Sequence, residues 1–213
     1  MTVRAAGTRL VAGWLLLCTG LLAVGWLLTH PLARPVGGPE NDLSRWVEAR
    51  RTPLLDHVAA AGTLLGDTVL GIVLLLLLGG GVALWRRSRL PLLLVGLVYA
   101  GLLGAYLTAT WLDPRERPPV EILDKGLVPD HSFPSGHTMT STALVGCLVV
   151  LLHTYAPGRL RWAYPLLAVP VLTMLSRVYQ GAHHVSDVLA GLVTAAIWLA
   201  VVARVLLRDR GRS

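Results

Sequence analysis

Six long apolar stretches, separated by short segments that carry most of the charge, leave this chain few ways to fold. They run over roughly 10–29, 62–84, 90–112, 138–155, 163–180 and 185–207. About 20 mainly apolar residues of helix cross a bilayer. Inside hydrocarbon the backbone must satisfy its own polar groups, which a helix does within one segment. The expectation is an all-α polytopic membrane protein: six transmembrane helices in a single membrane-embedded domain, 1–213. Only 15% of the residues are charged and 54% are hydrophobic, against about 25% charged in a soluble domain. The fourth and fifth stretches are short and are interrupted by Gly146, Pro165 and Pro170. Neighbouring helices can satisfy the backbone groups that such prolines free.

The formal net charge is +7. In a soluble chain this would raise nucleic-acid binding. Here the basic residues flank the apolar stretches: Arg4 and Arg9; Arg86, Arg87 and Arg89; Arg159 and Arg161; Arg208, Arg210 and Arg212. With six crossings and a cytoplasmic N-terminus all four groups fall on the cytoplasmic side, as basic loops prefer. Both termini are then cytoplasmic in a multi-pass cell-membrane protein, and no nucleic-acid partner is expected. The apolar run Leu10–Leu28 exceeds the roughly 7–15 residues of a signal-peptide core, and no Ala-x-Ala site follows it, so it is read as an uncleaved first span. Cys18 and Cys147 lie inside apolar stretches and are expected to be small buried residues.

Three segments remain for the outer face: 30–61, 113–137 and the turn at 181–184. The first begins with Pro31, Pro35, Gly37, Gly38 and Pro39. It then alternates Leu43, Trp46, Val47, Leu54 and Leu55 with charged residues, which suggests an interfacial helix lying on the membrane, capped by Asn41 or Asp42. A covering loop is the plain alternative.

The other two segments hold the residues with chemistry. His183 and Asp187 are four apart, a spacing that stacks side chains on one helical face. The carboxylate can then fix the imidazole tautomer and leave the other nitrogen as a nucleophile. Taken alone, the spacing also fits a helix cap or a metal pair. His184 stands three residues from Asp187, so pairing there stays open, and its plainer reading is an interfacial polar residue. Arg177, near a span end, is costly unless it snorkels or meets an anion, and its planar fork suits phosphate oxygens. Pro134-Ser135-Gly136-His137 precedes the fourth stretch. Gly136 permits close backbone approach, Ser135 offers a hydroxyl, and amides at a helix N-terminus bind anions. His137 can protonate a leaving alcohol near neutrality. Arg115 and Arg117 lie in a stiff proline-rich loop, and Arg117 can add a second guanidinium. Each block alone also fits a turn, a cap or a solvated loop.

Together these residues resemble the type-2 phosphatidic acid phosphatase superfamily. Its pattern is Lys, six residues, Arg-Pro; then Pro-Ser-Gly-His; then Ser-Arg, five residues, His, three residues, Asp. The second block is complete at Pro134 to His137, and the third at Ser176, Arg177, His183 and Asp187. The first is present at Arg117-Pro118, but the lysine position holds Thr110. The resemblance implies that His183 forms a phosphohistidine, that Asp187 orients it, and that His137 protonates the leaving group and then activates water. It implies that Arg117, Arg177, Ser135 and Gly136 hold the phosphate, with no metal and no cofactor. The implied activity is hydrolysis of a lipid phosphate monoester or diphosphate at the outer face: phosphatidic acid, phosphatidylglycerol phosphate or a polyprenyl diphosphate. The implied partners are that substrate and membrane lipids. Two other readings are a phosphotransferase of the same fold and an inactive lipid-phosphate binder or transporter. The conjecture attached to Thr110 is that Lys125 supplies the missing charge.

Overall fold

The computed structural model describes residues 2–207; Met1 and 208–213, including the basic group Arg208, Arg210 and Arg212, lie outside the described residues. Among the described residues, five helices are long and apolar enough to cross a membrane. They are α1 (Val3–Thr29), α4 (Thr68–Arg86), α5 (Leu90–Leu112), α6 (Gly136–Tyr155) and α8 (Val185–Leu207). Between them lie three 12-residue helices: α2 (Gly37–Glu48), α3 (Pro53–Leu64) and α7 (Ala168–Tyr179). The described residues contain no strand, only one isolated bridge between Arg115 and His131.

Side-chain caps set several starts. Thr52 accepts from the Leu55 amide ahead of Pro53, Asp67 from Leu70 and Ser135 from Thr138, each satisfying an amide that no helical carbonyl can reach. The Asp67 cap moves the start of the second span from the expected 62 to Thr68. The Thr52 cap divides the 30–61 segment into α2 and α3. Neither Asn41 nor Asp42 caps α2, contrary to expectation: the N-cap is Val36, without a side-chain bond, and both residues lie inside the helix.

The fifth expected span is divided. A 3-10 segment, Pro157–Leu167, leads into α7. Pro165, inside that segment, lacks the amide hydrogen that a regular helix would use, whereas Pro157 stands at its start, where none is needed. Alone, α7 is about 18 Å long, short of a hydrocarbon core of about 30 Å.

The bundle has two chemically distinct ends. At one, Arg86 lies over the Tyr155 ring at 5.5 Å, and Arg9, His153 and Arg204 share a groove among α1, α6 and α8. At the other, Thr29 donates to Asp113, and the Ser135 amide donates to the Asp187 carbonyl. Because Tyr155 sits at the basic end and Arg177 lies near Asp187's end, Pro157–Tyr179 runs the length of the bundle. The core is built on α5, whose Leu94, Val98 and Ala105 are fully buried, together with Ala143 of α6 and Val202 of α8. Cys18 and Cys147 are free thiols buried in it. Gly191 brings α8 against the start of α6, since a Cβ there would come within 2.7 Å of the Ser135 carbonyl oxygen.

Candidate active site

The loop joining α5 to α6 folds back on itself. The Arg115 amide donates to Asp130, the Ser132 amide to Arg115 and the Arg117 amide to Pro129. This fixes Ser132 beside the turn that ends α7, where His183 sits before the first residue of α8.

His183 is buried, and its Nδ1 lies 2.7 Å from the Ser132 carbonyl oxygen. A carbonyl only accepts, so Nδ1 carries the proton and Nε2 keeps a lone pair. Asp187 stands 3.9 Å from Nδ1, outside hydrogen-bond range. Its carboxylate is taken by Arg115 on one oxygen, and by the Ser132 hydroxyl (2.6 Å) and the His184 amide (2.8 Å) on the other. Asp187 therefore touches the residue that holds the histidine, and not the histidine itself. Burial, then the positive charge of Arg177, pulls the His183 pKa well below its ordinary value.

A cavity of about 260 Å³ opens beside this ring, lined by Arg117, Gly136, His137, Arg177 and His183 with Tyr106. Five of the seven residues expected from sequence thus meet around one hollow. The other two lie behind it. Ser135 is fully buried as the α6 cap, and Asp187 is fully buried under His183. Ser176 packs against Gly62 of α3.

Arg177 is the most informative of the set. It is 0% exposed. Its Nη1 bonds Asp124 at 2.6 Å and Gln180 at 3.1 Å, while Nε and Nη2 have no protein partner. Donors left this way cost about 1–3 kcal/mol each, more when charged, unless a ligand meets them. Arg117 spends three N–H groups on the carbonyls of Val128, His131 and Ala182 and retains two of its five. Burial and the charge of Arg177 lower its pKa, a repulsion that an anion between the two guanidinium groups would relieve.

Several members of the site were not read from the sequence. Arg115, taken as a loop flank, is buried between Asp187 and Glu40 of α2, with Nη2 at 2.9 Å from Glu40. His184, taken as an interfacial polar residue, is buried and bonds Asp187 and Asn41. The three-residue spacing of His184 to Asp187 leaves that pairing open in the sequence, whereas nothing there ties Arg115 to Asp187 or Glu40. Thr110 is buried, its hydroxyl returned to the carbonyls of Tyr106 and Leu107 in its own helix. Lys125 does not replace the missing lysine: its side chain is 75% exposed and pairs with Glu121.

The sequence model of the PAP2 superfamily matches residues 89–210. Phosphatidylglycerophosphatase B of Bacillus subtilis is 30% identical over 160 residues, 73% of this chain and 77% of that protein. Sphingosine-1-phosphate phosphatase 1 of Rattus norvegicus is 35% identical over 98 residues, 43% of this chain; the match spans only 21% of that relative's length. Among solved structures, the PAP2-type phosphatidylglycerolphosphate phosphatase of Bacillus subtilis superposes with a TM-score of 0.76, covering 96% of this chain and 98% of that one at 23% identity. That last likeness speaks to the fold.

Proposed function

The chain belongs to the PAP2 superfamily, and we propose that it is a metal-independent membrane phosphatase acting on the phosphate monoester or diphosphate of a lipid. The observation that carries this is the pair of partnerless N–H groups on buried Arg177, which face an anion's requirements in the cavity that also holds His183. Phosphatidylglycerol phosphate heads the candidate substrates, because the relative that this chain matches over most of both lengths carries that activity in its name.

In the proposed reaction His183 Nε2 attacks phosphorus. The bond to the leaving oxygen breaks with its electron pair, and His137 gives that oxygen a proton. Arg117 and Arg177 stabilise the charge on the equatorial oxygens, with the first amides of α6 beside them. Ser135 serves by capping that helix. Water, deprotonated by His137, then cleaves the phosphohistidine and restores both residues. The nucleophile's tautomer is held by the Ser132 carbonyl, and Asp187 acts through Ser132. With the Pro157–Tyr179 segment read as a sixth crossing, the preference of basic loops for the cytoplasm supports a cytoplasmic basic end and a site at the outer face.

The test is phosphate release by purified protein from a panel of lipid phosphates. Release that is vanadate-sensitive, resists chelators and disappears in His183→Ala is the expected result. Full activity in that variant refutes the nucleophile assignment.

A further inference from the structure

Both hydrogen-bonded chains that end on the Asp187 carboxylate begin on adjacent residues of α2. One runs from Glu40, whose carboxylate accepts from Arg115 Nη2 at 2.9 Å, from the Ser186 amide at 2.7 Å and from the Ser186 hydroxyl at 3.0 Å. Arg115 in turn holds Asp187. The second runs from Asn41 Oδ1, 3.1 Å from His184 Nε2, to His184 Nδ1, 3.2 Å from Asp187. The Asn41 oxygen accepts only, so Nε2 is the donor there, and the His184 amide also gives its hydrogen to Asp187 at 2.8 Å. Glu40 also places negative charge at the N-terminus of α8, where the helix dipole favours it. The opposite face of α2 exposes Leu43 and Trp46.

We propose that Glu40 and Asn41 are positioning residues for the phosphoryl-transfer step, so that the geometry at His183 depends on α2 staying seated on α8. This rests on the reading of His183 as the nucleophile. Removing Glu40's charge leaves buried Arg115 with Asp187 as its remaining carboxylate partner. The guanidinium then keeps only the Ser186 hydroxyl, at 2.7 Å, beside Asp187, and with its Glu40 ion pair gone it holds less firmly the main-chain carbonyl that receives the Ser132 amide. A displacement there reaches the ring through Ser132. Among the described residues, the hydrogen bonds and ion pairs of Glu40 and Asn41 go to Arg115, Ser186 and His184 and not to Arg117, Arg177 or His137.

The test compares kcat, KM and competitive inhibition by inorganic phosphate for wild type, Glu40→Gln, Asn41→Ala and the double variant. Asp42→Asn, an exposed pair partner of Arg45 on the same helix, serves as control. Positioning predicts a fall in kcat on the order of 10- to 100-fold in Glu40→Gln, a smaller fall in Asn41→Ala, and KM and phosphate inhibition close to wild type. A general structural role would weaken phosphate binding in step with kcat, and that result overturns the proposal. So does wild-type kcat in both single variants. If Glu40→Gln fails to elute as a folded species, Asn41→Ala decides by the same criteria. A wild-type protein that releases no phosphate from any lipid overturns the parent reading, and this one with it; active wild type with unaltered variants overturns positioning alone.

Discussion

The Ser132 carbonyl oxygen lies 2.7 Å from His183 Nδ1, whereas the Asp187 carboxylate lies 3.9 Å from the same nitrogen. The tautomer of the proposed nucleophile is therefore set by the main chain, and the carboxylate works one residue removed. Ser132→Ala keeps the carbonyl and loses only the hydroxyl bond to Asp187. Its kcat is expected to fall by roughly tenfold, the worth of one such bond, with a far smaller loss than in His183→Ala.

Asp187→Asn has a different consequence. It leaves Arg115, 7% exposed, with one fewer counter-charge. Breaking a buried pair from one side costs about 3–5 kcal/mol. Glu40 remains as a partner, so the lower end is expected, read as a drop in thermal midpoint in detergent. An unchanged midpoint would show that the ion pair contributes nothing to folding.

Arg177→Lys tests the cradle. A lysine keeps charge but not the planar fork that presents Nε and Nη2 together. With hydrogen bonds to charged groups worth about 1.5–3 kcal/mol each, loss of one should raise KM and the vanadate inhibition constant by at least tenfold. Equal affinity for vanadate in wild type and variant would show that these N–H groups do not meet the anion.

The pH profile follows from the environment of His183. Its pKa is lowered by burial and then by Arg177. The neutral ring is the reactive form, so a lowered pKa keeps it competent in mildly acid solution. After correction for the substrate's own second ionisation, near pKa 6 or so, kcat/KM should stay level as pH falls through the ordinary histidine value of about 6.5. A histidine acid limb at or above that value would contradict it.

Lys125→Ala should leave kcat and KM unchanged, because Lys125 sits in solvent on Glu121. A loss of activity there would revive it as the substitute for the lysine absent at Thr110.

What the sequence disclosed, and what it concealed, follows from how far apart the cooperating residues lie. Arg177, His137 and His183 stood out because each adjoins an apolar stretch, where a polar group needs a reason. Five of the spans were legible from hydropathy alone. The fifth divides where the 3-10 segment that holds Pro165 gives way to α7, a change of path that hydropathy does not sense. Glu40, Asn41, Arg115 and Ser132 were invisible as a unit: they come from α2 and from the α5–α6 loop, which meet only in three dimensions. The His183–Asp187 spacing misled in detail because helical stacking needs a helix, and α8 begins only at Val185. Asp187 instead turns back to the His184 amide, as an acidic residue in a helix's first turn commonly does.

The most direct measurement is to quench turnover of a radiolabelled lipid phosphate and locate the label on the protein. The expected result is an acid-labile, alkali-stable phosphate on His183 Nε2, absent from His183→Ala and slow both to form and to clear in His137→Ala, which lacks the group that protonates the leaving oxygen and then activates water. Turnover without any label on His183, or label on another residue, would contradict the proposed chemistry.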